Sequence, residues 1–316
     1  MSTIKQLIYS SIKQPEKLNI LSFFYDGKFD VELLKTGHNF YGVLDTSMYP
    51  WPGYKNKNYP NLKLLSNLND VRNINFDLVL FNSRQKHEQF FQLSKSLHVN
   101  SLIIDHDYIL TSSFFIKKHL EQFKLPSVST SEIVQNQFKN STNIFYDIEQ
   151  NIGQFDKDID ILIIGTFNES HFPWLGQLKQ KFPNLKLVGN NPIIPFSETV
   201  ETYQDYKNLF RRTRIFVNLP MQQNVSHELL WALQSNCAII TTSIPVYDNL
   251  LNKDNCITIS DIKEIEIQIN NLLHNPKKYK ELTSYNTDLS KFYNNNFTEN
   301  WNTVLREHAG VYSEHR

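Results

Sequence analysis

Asn224, Val225, Ser226 and His227 stand where a polar loop runs into an apolar-periodic segment, a position suited to holding an anion. Leu229, Leu230 and Leu233 follow at helical spacing, with Asn224 or Ser226 available as N-cap. A helix start leaves backbone N–H groups without intrahelical partners and carries the positive end of the helix dipole. A diphosphate suits such a site. A second chemistry-bearing stretch is Asp105-His106-Asp107, which directly follows the apolar run Ser101 to Ile104. In α/β folds functional groups gather past the carboxyl ends of strands, so His106 and then Asp107 are candidate functional groups. A third is the loop Ser47 to Tyr59, where Trp51 and Tyr54 stand among Tyr49, Tyr59, Lys55 and Lys57. Flat aromatic faces stack on sugars and on bases, and lysines meet phosphates. The turn Asp26-Gly27-Lys28 borders the same half of the chain. Each stretch also has a plain structural reading: a sheet crossover, a loop histidine, an aromatic loop packed on its own domain, an ordinary turn.

The elements that must position these groups are strands and helices in alternation. Leu18 to Tyr25, Phe40 to Leu44, Phe76 to Phe81 and Ser101 to Ile104 read as buried strands, with Phe29 to Thr36 and Arg84 to Leu97 as helices between them. Gly37-His38-Asn39 ends the first helix. Val128-Ser129 is followed by a helical segment from Glu132, and Asn143 to Tyr146 reads as the last strand of this half. Asp147 to Asp158 is polar and suits a linker. A second half restarts at Asp160 to Gly165, with Trp174 to Phe182, Glu201 to Arg212 and Ile262 to Leu273 as helices. Arg211, Arg212 and Arg214 suit the end of the helix before the central motif. Asn275-Pro276 opens a further helix, and Phe297 to His308 closes the chain. Strand, helix and strand from Ile215 to Ile240 make a βαβ unit of a parallel sheet. The phosphate fingerprint GxGxxG is absent, so no dinucleotide is assigned to the first half.

Composition bounds the function. The 316 residues carry 32 basic and 32 acidic side chains, so the formal net charge is 0. No global field then steers the protein to nucleic acid or to a membrane. The two cysteines, Cys237 and Cys256, show neither metal nor disulfide spacing. No stretch approaches the roughly 20 apolar residues of a membrane span, and the N-terminus lacks a signal pattern. The expectation is a soluble, cytoplasmic protein of one or two domains.

The central motif resembles the donor side of GT-B glycosyltransferases of the group 1 (family 4) type. Trp231-Ala232-Leu233-Gln234-Ser235-Asn236 and Cys237 to Thr242 fall on that family's helix and following strand. The resemblance implies an α/β GT-B fold, two Rossmann-like parallel-sheet domains facing a cleft. Residues 1–150 would form the acceptor-side domain and 151–295 the nucleotide-sugar domain, with 296–316 crossing back as a closing helix. It implies a transferase using a UDP- or GDP-sugar as co-substrate, with retention, no obligatory cofactor and no metal. Donor binding would fall to Gly165, Thr166, Asn168, Gln223, Asn224, Val225, Ser226, His227 and Glu228. His106 and Asp107 would serve catalysis, and Asp26, Gly27, Lys28, Trp51 and Tyr54 the acceptor. The acceptor, whether glycan, protein or DNA, is not identified by the motif.

The pattern is also broken in places. The family's two motif Glu positions hold Gln223 and Trp231 here, and Thr166 takes the place of an Arg after Gly165. Glu228, three residues before Trp231 and so on the same helical face, is the nearest carboxylate. Two other readings keep the fold: a phage-type DNA-base glycosyltransferase, suggested by the aromatic-lysine loop, and a nucleotide-sugar-binding relative without catalysis, suggested by the missing Glu pair.

Overall fold

The structure, a computed structural model, describes residues 17–23, 27–43, 59–65, 68–82, 87–106, 126–138, 141–148, 155–165, 172–189, 198, 200, 203–219, 225–243, 247, 250–293 and 296–309. Twelve strands and nine α-helices appear among them. The first half holds β1 (Asn19–Phe23), α1 (Gly27–Leu34), β2 (Asn39–Val43), β3 (Leu62–Leu65), β4 (Leu78–Phe81), α2 (His87–Leu97), β5 (Ser101–Asp105), β6 (Ser127–Ser129), α3 (Glu132–Gln135) and β7 (Ser141–Asn143). The second holds β8 (Ile159–Ile164), α4 (Phe172–Lys181), β9 (Leu185–Val188), α5 (Tyr203–Arg212), β10 (Thr213–Asn218), α6 (His227–Gln234), β11 (Ala238–Thr242), β12 (Cys256–Ile259), α7 (Glu264–His274), α8 (Pro276–Thr283) and α9 (Phe297–His308).

The strands form two sheets, ordered β3-β2-β1-β4-β5-β6-β7 and β12-β11-β10-β8-β9. Every strand pair is parallel. Parallel sheets are covered on both faces, which is why their strands read as apolar runs rather than alternations. All residues of β4 and β5 are buried, and Ile215 to Val217 of β10 are at most 1% exposed. In the first sheet the order reverses between β1 and β4, and in the second between β8 and β10. Such a reversal opens a crevice at the carboxyl ends of the flanking strands.

Local chemistry explains the punctuation. Gly37 ends α1 at φ 78°, and Asn236 follows α6 at φ 51°. Both lie in the left-handed region, which Gly and, after it, Asn accept most readily. Asn275 caps α8, its side chain accepting from the Lys278 N–H at 3.0 Å, with Pro276 at the first helical position. Two expectations about strands shift. Tyr146 lies beyond β7, not within the last strand, and β3 is a strand that the sequence reading did not mark.

The two halves share one core. Leu80 and Ile104 of the first sheet belong to the same buried cluster as Phe216, Trp231 and Trp301. Helix α9 packs onto the first half, where Trp301 meets Phe29 at 5.6 Å between ring centroids and Asn100 donates to the His308 carbonyl at 3.1 Å. Nearby, Ile148 N–H donates to the Phe292 carbonyl at 2.9 Å, and Lys291 lies 3.6 Å from Glu132. Among the described residues, no helix is long and apolar enough to cross a membrane.

Candidate functional site

The carboxyl edge of the second sheet brings together Gly165 and the start of α6. Gly165 follows β8 and donates its N–H to the Val188 carbonyl at 3.1 Å. Strand β10 ends at Asn218, whose buried amide donates to Thr241 Oγ1 at 3.2 Å and to the Tyr247 hydroxyl at 3.1 Å. That network ties the ends of β10 and β11 together. Burial pushes the Tyr247 phenol well above its ordinary range, against the pull of the Asn218 hydrogen bond. Ser226 is the N-cap of α6: its hydroxyl accepts from the Leu229 N–H at 3.2 Å. Of the two caps the sequence allows, Ser226 is therefore the one used. Val225 and His227 are buried on either side of it.

Glu228 is half-buried and accepts from the Tyr206 hydroxyl at 3.0 Å. Trp231 is 1% exposed and packs against Tyr206 at 5.9 Å and Phe210 at 5.7 Å. The side chain in the second motif position thus fills the core. The basic side chains next to the motif point elsewhere. Arg212, at the end of α5, pairs with Asp158 at 2.8 Å, and Arg214 with Asp160 at 3.0 Å. Both pairs lie at the amino ends of β8 and β10, the edge opposite the α6 start. A cavity of about 580 Å³ opens at that same far edge, lined by Phe155, Lys157, Arg211 and Gln234 among others. Lys157 anchors the end of α6 there, donating to the carbonyls of Thr213, Ser235 and Asn236 at 2.7, 2.7 and 3.0 Å. Burial lowers its pKa. Beside it, burial raises the free thiol of Cys237 to about 11.

The carboxyl edge of the first sheet carries His106. It directly follows β5, is 2% exposed, and has Nδ1 at 2.8 Å from the Tyr146 hydroxyl. Its ring meets the edge of Phe29 at 4.8 Å. Two residues that the sequence reading missed belong to this edge. Asn82, just past β4, donates its amide to Asp30 in the first turn of α1 at 2.7 Å. Asp30 is 0% and Asn82 1% exposed. The signal was present in outline: a polar residue after a wholly apolar run, and an acid at a helix start facing the switch point.

Tyr146 joins the two edges. Its hydroxyl lies against His106, and its ring lies 4.4 Å from the ring of His227, the first residue of α6. His106 and the helix start, predicted from separate stretches more than a hundred residues apart, are therefore one side chain from each other. Gly27 and Lys28, read as a turn, open helix α1. Asp26, Trp51, Tyr54, Asp107, Thr166, Asn168, Gln223 and Asn224 lie outside the described residues. Among the described residues no group of three or more His, Cys, Asp and Glu side chains is placed to hold a metal ion.

No protein-family model matches the sequence, and no curated protein does. Solved structures do match. HepE of Anabaena in complex with UDP-glucose superimposes with a TM-score of 0.61 at 10% identity, over 92% of this chain and 98% of that one. Sucrose-phosphate synthase of Thermosynechococcus elongatus gives a TM-score of 0.63 at 9% identity, over 92% and 99%. This is the GT-B fold. A glycosyltransferase of Rickettsia africae gives 0.58 at 13% identity, over 93% and 99%. At these identities the likeness lies in the fold, and the GT-B layout expected from the central motif extends over nearly the whole chain.

Proposed function

We propose that this GT-B protein is a glycosyltransferase that moves a hexosyl or pentosyl group from a UDP- or GDP-sugar to an acceptor, with retention, in the cytoplasm. One observation carries the reading. The carboxyl edges of two parallel sheets meet, with a capped helix start on one side and a buried histidine on the other, joined through Tyr146. HepE, similar in fold, has been solved with UDP-glucose, which supports this donor class.

In this reading the donor diphosphate lies between Gly165 and the N–H groups of Val225, Ser226 and His227. Those groups and the helix dipole stabilise the leaving diphosphate as its bond to the anomeric carbon breaks. Thr166, Asn168, Gln223 and Asn224 contribute on the same side, and Glu228 serves the ribose in place of the missing motif Glu. His106 and Asp107 face the transferred sugar. Asp26, Gly27, Lys28, Trp51 and Tyr54 receive the acceptor. The acceptor oxygen bonds to the anomeric carbon, and its proton passes to the donor phosphate. No side-chain base is then required.

The test is incubation with labelled UDP- and GDP-sugars, reading donor hydrolysis and transfer to glycan, protein and DNA acceptors. Release of nucleotide diphosphate supports the proposal. Failure of every donor to bind by calorimetry overturns it. A specific observation favours a second reading, a GT-B protein that binds nucleotide sugar without turnover: Trp231, at a motif Glu position, is wholly buried in the core. Tight binding with no release of diphosphate selects that reading.

A further inference from the structure

We infer that Tyr146 is a positioning residue: its hydroxyl donates to Nδ1 of His106 and holds the ring proton on Nε2. The inference rests on His106 being part of the proposed transfer site. The two groups lie 2.8 Å apart, with Tyr146 1% and His106 2% exposed. Buried polar groups at that distance are hydrogen-bonded, so only the direction is open. Two assignments exist. Either the phenol donates to an unprotonated Nδ1, or an Nδ1–H donates to the phenol oxygen. The phenol is the stronger acid of the two neutral donors. The imidazole nitrogen is the better acceptor, because the phenol oxygen shares its lone pair with its ring. Both preferences select the first assignment. The hydrogen bond at one ring nitrogen then decides what the other nitrogen carries. His106 becomes an N–H donor at Nε2, suited to a sugar or phosphate oxygen rather than to taking a proton there.

Packing makes the assignment rigid. The His106 ring lies 16° from parallel to Tyr146, with centroids 6.0 Å apart. Phe29 presents itself at 79° to both rings, at 4.8 and 5.8 Å. Tyr146 also meets His227, at 4.4 Å between ring centroids. The tyrosine that sets the His106 tautomer is therefore wedged against the first residue of α6. The protonation pattern of the acceptor-side histidine is locked to the position of the donor-side helix. The sequence hid this link, because Asn143 to Tyr146 reads as a strand and gives no sign of a partner for its tyrosine.

The test uses the full chain labelled with ¹⁵N-histidine. Long-range ¹H–¹⁵N spectra at neutral pH separate the two tautomers, and the spectrum of His106→Gln identifies the signal. Wild type should show Nε2–H with an unprotonated Nδ1. Tyr146→Phe keeps the ring and removes only the hydroxyl, so it should shift the signal toward a tautomer mixture. Turnover should fall about tenfold in that variant, while donor KM stays within about twofold, the split expected when an orienting bond is lost. An Nδ1–H tautomer in wild type overturns the inference, and that spectrum decides even where Tyr146→Phe does not fold. An unshifted signal in an active Tyr146→Phe chain overturns the positioning role alone. A wild-type chain with the expected tautomer that neither binds nor turns over any nucleotide sugar overturns the transferase reading alone.

Discussion

The rings of Tyr146 and His227 lie 4.4 Å apart at 56°, joining the segment after β7 to the first turn of α6. Both residues are buried, so the seam between the two sheets is packed at this point rather than open to water. The seam separates two jobs. Backbone groups on the α6 side suit phosphate, and side chains on the β5 side suit the transferred group.

That division predicts how His106→Ala will behave. Turnover should fall at least about tenfold, the size expected when a hydrogen bond of roughly 1.5–3 kcal/mol to a charged group is lost. Donor affinity by calorimetry should stay within about threefold, because the phosphate contacts lie across the seam. Comparable losses in both would place His106 in the fold rather than in the chemistry. A melting curve of the variant separates the two.

A second prediction concerns acid stability. Burial first, and then the nearby Arg306 charge, push His38 from 6.5 down to about 4. An unfolded chain binds a proton at this position below pH 6.5 that the folded chain refuses until about pH 4. Stability therefore rises with pH across that window and falls on acidification through it. Solvent screening keeps the loss below the roughly 3 kcal/mol that the full shift would give, and it accrues between pH 6.5 and about pH 4. His38→Gln should flatten this part of the acid limb. Urea unfolding of both chains at pH 7 and pH 5 measures it, and parallel losses would remove His38 as a cause.

The third prediction is conformational. Asn236 sits at φ 51°, in the place of the Gly that closes the helix in the family motif. An ordinary side chain there costs roughly 1–2 kcal/mol. Asn236→Ala should lose about 1 kcal/mol in chemical denaturation, and Asn236→Gly should match or exceed wild type. An Ala variant as stable as wild type would show that the α6 end does not need this conformation.

Much of this architecture is legible in the sequence because it depends on local chemistry. Buried parallel strands write themselves as apolar runs, and Gly37 and Asn275-Pro276 mark helix ends through their own backbone preferences. What the sequence hides depends on partners far along the chain. Strand β3 exposes or half-exposes Leu62, Lys63 and Leu64, so it lacks the run that marks its neighbours. Trp231 at a motif position cannot stand in for a carboxylate, but only Tyr206 and Phe210 around it show that it fills the core. Lys157 falls in a polar stretch read as linker, yet its three carbonyl partners come from the residues just after α5 and α6. The Asp30–Asn82 pair and the Tyr146 link join residues 52 and 40 positions apart, beyond any local pattern.

The last prediction tests the helix start itself. Ser226 has two separable parts: a hydroxyl that caps α6 through the Leu229 N–H, and a backbone N–H that the proposed site offers to phosphate. Ser226→Ala removes only the first, and should cost about 0.5–2 kcal/mol of stability. Ser226→Pro removes both. Ser226 has φ −94°, near enough to the proline range of about −65 ± 15° for the fold to accept the change. Comparing the two variants therefore isolates the N–H, because both lack the hydroxyl. A hydrogen bond to a charged group contributes roughly 1.5–3 kcal/mol. The Pro variant should accordingly bind a UDP- or GDP-sugar at least about tenfold more weakly than the Ala variant, the equivalent of some 1.4 kcal/mol. Circular dichroism of both checks that each is folded, and calorimetric titration gives the affinities. Equal affinities in two folded variants would mean that the Ser226 N–H does not hold the diphosphate, and the donor assignment at α6 would then have to be abandoned.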